Sequence, residues 1–162
     1  MKSKTIDKDL GFDSIIEDLK TLSSIDVEVG YFDDGTRSAD GTMDMVDLAI
    51  LQHNGSDEYD KLYEGNGTIP KRPFQDETAR MFTNEITEVM HKVVAKVIDK
   101  KIFATGGLNE IGEKYTDMMK HSIKIFHTPS NSEGTIKEKG EDNPLILSES
   151  MMEAVTHELE VY

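Results

Sequence analysis

Five histidines and 32 carboxylates are the side chains that could carry acid-base or metal chemistry, and their spacing decides how far that idea goes. His53, His91, His121, His127 and His157 include no pair four residues apart, so no two imidazoles share a helix face as a zinc site requires. "HELE" at 157–160 lacks the second histidine of a metalloprotease helix. "GLNEIGEKY" at 107–115 sets two glycines at the phosphate-loop interval, but Glu113 separates Gly112 from Lys114, and Tyr115 stands directly after the lysine where Ser or Thr would hold magnesium. An ordinary helix start with a tolerated Gly112 is the better reading. The acidic pairs at 33–34 and 141–143 lack the alternate-position ligands of a calcium loop, and no G-x-S-x-G nucleophile motif occurs. With no cysteine, thiolate catalysis and disulfides are excluded. No metal, cofactor or nucleophile motif is recognisable, while acid-base pairs among the 32 carboxylates would meet only in the fold and stay open to a reading of the sequence.

One compact basic pair remains: Lys71 and Arg72 inside "GTIPKRPF", framed by Pro70 and Pro73. Proline fixes its own φ and biases the preceding residue toward extended backbone, so Ile69 and Arg72 are held out of helix just ahead of Phe74. Two roles fit this stiff approach. Lys71 and Arg72 could pair locally with Asp76 or Glu77 at the start of the next helix. A pre-stiffened segment also loses little entropy on docking, so it could present Arg72 to an acidic partner surface.

The elements that must position this segment follow from periodicity. Phe12, Ile15, Ile16, Leu19 and Leu22 predict an amphipathic helix over 11–22, and "DVEVGYF" alternates as a half-buried strand. "DDGTRSADGT" reads as a loop, 43–52 as a helix ended near Gly55, and 55–68 as an exposed loop. The stripe Phe74, Phe82, Ile86, Val89, Val93, Val97 predicts a long helix over 74–100. "ATGG" is expected to break it, and a second helix through Leu108, Ile111, Tyr115 and Met119 to Phe126 completes a helical hairpin. The charged stretch 127–143 reads as a loop, 148–154 as a helical turn, and Val155 to Val161 as a final strand. Met81, Met90, Met118, Met119, Met151 and Met152 fall beside the apolar stripes, where core packing is the first expectation and an adaptable contact surface the second.

The expected fold class is therefore α+β: a small antiparallel or mixed sheet against a long helix and a second helix, with long polar loops. At 162 residues the chain fits one domain, 1–162, with 1–24 as an N-terminal helical segment. A net charge of −14 with lysines scattered among acids disfavours sequence-reading contact with nucleic acid. A mean hydropathy of −0.49 and no long apolar run fit a soluble, cytoplasmic chain without a membrane anchor. Long polar loops in so small a domain favour an interaction role.

In order, "DVEVGYF", "LAILQHNGS", "TIPKRPF", a long helix, "LNEIGEKYTDMMKHSI", "GTIKEKG" and "NPLILSESMMEAVTHELEV" resemble the tailed-bacteriophage virion-morphogenesis proteins of the neck, the tail-completion or head-tail joining family. The likeness runs from about residue 25 to the end. Ala49 and Gly55 match the family's Ala-x-x-x-Glu-aromatic-Gly, with His53 and Asn54 replacing the acid and the aromatic. Ile69, Pro70, Arg72, Pro73 and Phe74 match its proline segment. Pro144 to Met151 follow Pro-Leu-(aliphatic)-x-Thr-Gly-x-(Leu or Met), with Glu149 where the glycine belongs.

The resemblance implies a non-enzymatic α+β subunit of the virion, assembled in the host cytoplasm. It would join a six-fold ring of copies between head connector and tail, with genome DNA passing through the channel. Ile69, Pro70, Lys71, Arg72, Pro73 and Phe74, with Lys137 and Lys139, are the implied interface, and the polar loops at 33–42, 55–68 and 127–143 would order against neighbouring proteins. A tail terminator capping the tail tube is the near alternative; an acidic DNA-mimic inhibitor is the alternative that the charge alone would support.

Overall fold

The computed structural model describes residues 11–56, 68–145 and 149–162. Among them the fold is α+β: six helices and a two-stranded antiparallel sheet. Helix α1 (Phe12–Ser23) leads into β1 (Ile25–Gly30), then α2 (Met45–Asn54), the long α3 (Phe74–Ile98) and α4 (Ala104–Ile125), the short α5 (Glu133–Lys139) and α6 (Ser150–Glu153), and β2 (Thr156–Val161). The strand that follows α1 meets the last strand in the sheet, where Ile25 pairs with Val161 and Gly30 with Thr156.

Local sequence explains most of these boundaries. Asp44 caps α2, its carboxylate accepting from the Val46 amide at 3.0 Å, and Gly55 ends the helix at φ 71. Gly55 is also where the backbone closes on the proline segment: a Cβ there would lie 2.6 Å from the Ile69 carbonyl oxygen, and Ser56 and Ile69 exchange backbone hydrogen bonds of 2.8 and 2.9 Å. Pro73 precedes Phe74 at the start of α3, and Asp76 and Glu77 in the first turn suit the positive end of that helix.

Helices α3 and α4 form the expected hairpin, but the "ATGG" tetrapeptide is not its turn. The chain reverses over Asp99 to Phe103, with Lys100 at φ 59, and Ala104 to Gly107 are already the first turn of α4. Ala104 and Gly107 are buried, and a Cβ on Gly107 would sit 2.6 Å from Val93 Cγ1. Small residues here let two helices approach closely, a requirement that looks identical to a helix break when read along one chain. Gly112 has a similar role: a Cβ there would overlap the His157 imidazole of β2, so this glycine is needed for the sheet to lie on α4.

Two apolar clusters result. Val93, Val97, Ala104 and Ile111 hold the hairpin together, flanked by Leu22 of α1. The larger one joins Met45 and Ala49 of α2, Phe74 of α3, Met119, Ile123 and Phe126 around the end of α4, and Leu145, Met151 and Val155 from the C-terminal region. Of the methionines placed beside the stripes, Met119 and Met151 are core, while Met81 and Met90 are exposed on α3.

The stretch 127–143 is not a plain loop. Ser132 caps α5 through the Thr135 amide, and Gly140 ends it at φ 82. These capping residues outweigh the scarcity of apolar anchors. Most of the loop expected at 55–68 lies outside the described residues, as do positions 146–148.

Candidate partner interface

The proline segment is a junction inside the subunit. The Arg72 amide donates to the Gln52 carbonyl at 2.9 Å, which fixes the segment against the last turn of α2. Arg72 as a residue is only 5 % exposed. It donates to Gln52 Oε1 at 2.7 Å and reaches the Pro129 carbonyl and Asn131 Oδ1, each at 3.4 Å. One planar fork thus ties α2, the entry to α3 and the stretch before α5, residues far apart in sequence. Burial pulls the guanidinium below the usual arginine range, and the nearby Asp142 carboxylate opposes that shift.

Asp142 belongs to the same junction. Its carboxylate accepts from the Asn131 amide at 2.9 Å, and that bond, first among several, holds it below the usual range. The "EDN" stretch weighed as a calcium ligand set is therefore a loop tie. Among the described residues no group of three or more His, Asp or Glu side chains converges as metal ligands.

The expectation that Arg72 faces a partner is corrected by this geometry. Nor does it pair with Asp76 or Glu77: Arg80 takes Glu77, its Nη2 lying 2.6 Å from Oε2, and Asp76 lies 3.8 Å from His53 Nε2. Phe74 is likewise interior, fully buried and approached edge-on by His53 and Tyr31 with centroids at 5.4 and 6.2 Å. Burial drives both assignments, because an aromatic ring and a fork with matched acceptors are stable inside. Tyr31 adds a further tie, its hydroxyl donating to the Met151 carbonyl at 2.9 Å, and burial raises its pKa.

Ile69, Pro70 and Pro73 are half-buried. Lys71 is exposed, as is Lys137 on α5. Lys139 is half-buried and turned inward, donating to the Asn143 carbonyl at 2.6 Å, while Asn143 Nδ2 donates to the Lys124 carbonyl at 2.9 Å. Burial is the main cause that lowers the Lys139 pKa. Arg72 thus meets residues 129–131, and of the cations named for the interface Lys71 and Lys137 are the exposed ones.

Beside the junction lies a cleft of about 490 Å³, with Leu51, Gln52, Ile69, Leu145 and Met151 among its walls and the 38–43 loop at its rim. The rim is tied internally: Ser38 donates to Asp40 at 2.7 Å, and this bond, with those from Thr42, holds the Asp40 carboxyl down to about 2.

Sequence reading missed Gln52, Asn131 and Asp142 as the partners of this junction. Their residue types are ordinary in loops and helix ends, and only the fold brings them to one arginine. At the C-terminal motif Glu149 adopts φ 61. The turn that a glycine would form unstrained is therefore made by glutamate.

No helix among the described residues is long and apolar enough to cross a membrane. Comparison with protein-family models, with curated proteins and with solved structures returns no match.

Proposed function

We propose that the protein is a structural subunit of a tailed-phage neck, joining head connector to tail as one copy of a ring. The observation that carries this reading is the convergence of its three separate motifs. Ala49, Phe74, Leu145 and Met151 share one buried cluster, although they come from the α2 motif, the proline segment and the C-terminal motif. A fold that uses the three motifs together requires such a shared core. The left-handed backbone at Glu149, where the resembled pattern has glycine, points the same way.

In this reading Arg72 acts from inside. It locks the α2 end, the α3 start and residues 129–131 into one rigid corner, from which Lys71 and Lys137 face outward toward acidic neighbours. The strong negative charge elsewhere suits a protein that lines a DNA passage without gripping it.

Electron microscopy of phage particles produced without this chain tests the reading. Filled heads beside separate tails of normal length, rejoined when the chain is supplied, are expected. Intact particles would contradict it, and tails of irregular length would instead assign the terminator role.

A further inference from the structure

The sheet has a free edge facing a groove. The Tyr162 amide donates to the Ser24 carbonyl at 3.1 Å, in line with the register that pairs Asp26 with Glu160 and Glu28 with Glu158. Antiparallel ladders alternate bonded and non-bonded pairs, so Asp26, Glu28 and Gly30 bond toward β2. The amides and carbonyls of Ile25, Val27 and Val29 therefore point the other way, and among the described residues no backbone group meets them. Beside them runs a groove of about 620 Å³ between β1 and α3, lined by Leu22, Ile86, Met90, Leu108, Ile111 and Tyr115. Met90 is 47 % exposed there.

The outer face of the same sheet bears an unusual charge pattern. Asp26 and Glu160 stand directly opposite each other, as do Glu28 and Glu158, and all four are exposed. Like charges in cross-strand register oppose pairing. They also exclude one class of occupant: the equivalent edge of a second copy would bring further carboxylates alongside these. Carboxylates so placed guard an edge against self-pairing while favouring a strand that carries cations.

We infer that the free edge of β1 accepts an extended basic segment of another protein as a third strand, with alternate apolar side chains in the groove and alternate Lys or Arg side chains over Asp26, Glu28, Glu158 and Glu160. Main-chain bonds to Ile25, Val27 and Val29 would supply affinity, and the alternation would supply selectivity.

The test is fluorescence anisotropy of the full chain with a labelled peptide, Lys-Val-Lys-Val-Lys-Val-Lys, against a peptide of the same residues in block order. The alternating peptide is expected to bind saturably and about tenfold more tightly. Val27→Pro removes the outward amide but no bond of the β1–β2 ladder, and should weaken binding by a similar factor. Glu28→Gln with Glu158→Gln, at exposed positions that carry the test even if the proline variant fails to fold, should weaken binding while raising the urea midpoint. Absence of binding, equal binding of the two peptides, or unchanged affinity in the glutamine variant would overturn the assignment. So would self-association of the chain that Val27→Pro abolishes.

Discussion

At the scale of single residues, Arg72 shows how a charge can be structural in a strongly acidic protein. Its guanidinium is buried with three acceptors, so truncation removes those bonds and leaves Gln52 Oε1 without its donor. Arg72→Ala is expected to cost about 2 to 4 kcal/mol in urea unfolding, and Arg72→Lys to recover only part, because an ammonium cannot span the same acceptors. A loss below about 0.5 kcal/mol would mean that the junction is not fixed by this side chain. Glu149 makes the opposite case. A non-glycine residue at φ 61 is held in a conformation that costs roughly 1 to 2 kcal/mol, partly offset because glycine loses more freedom on folding. Glu149→Gly should therefore raise stability by about 0.5 to 1 kcal/mol in the same measurement.

At the scale of elements, the strong periodicities were readable and the close contacts were not. The stripe from Phe74 to Val97 marked α3 because the same spacing that defines a helix face also defines what that face buries. The alternation in β1 and β2 was legible for the same reason, although their cross-strand register was not. Glycines carried no such signal. Gly107 reads as a breaker along the chain, yet it is the point where α4 meets Val93 and Val97 of α3. Gly107→Ala should lose about 1 to 3 kcal/mol by overpacking, despite alanine's better helix propensity. A gain in thermal midpoint would show that the hairpin has slack at this crossing. The 127–143 stretch illustrates a third limit: Ser132 and Gly140 are present as caps in the sequence, but a seven-residue helix between them has too few apolar positions to produce a period.

At the scale of the whole molecule, the fold class follows from the order of periodic segments, whereas the interface does not. Proline stiffness around Lys71 and Arg72 was visible, but which of the two turns inward depends on Gln52, Pro129 and Asn131, whose arrival is a property of the packed chain. The result is a hydrogen-bonded corner with Lys71 and Lys137 exposed, and an acidic sheet face built from Asp26, Glu28, Glu158 and Glu160. That division of charge suits heterologous contacts, in which one surface of a subunit meets a different surface of its neighbour. The claim that these surfaces serve a head-tail junction is tested most directly by a cryo-electron microscopy map of the mature phage particle. The account predicts a ring at that junction whose subunit density fits the α3–α4 hairpin and its two-stranded sheet, with Lys71 and Lys137 at contacts. A mature particle containing no copy of this chain would contradict it.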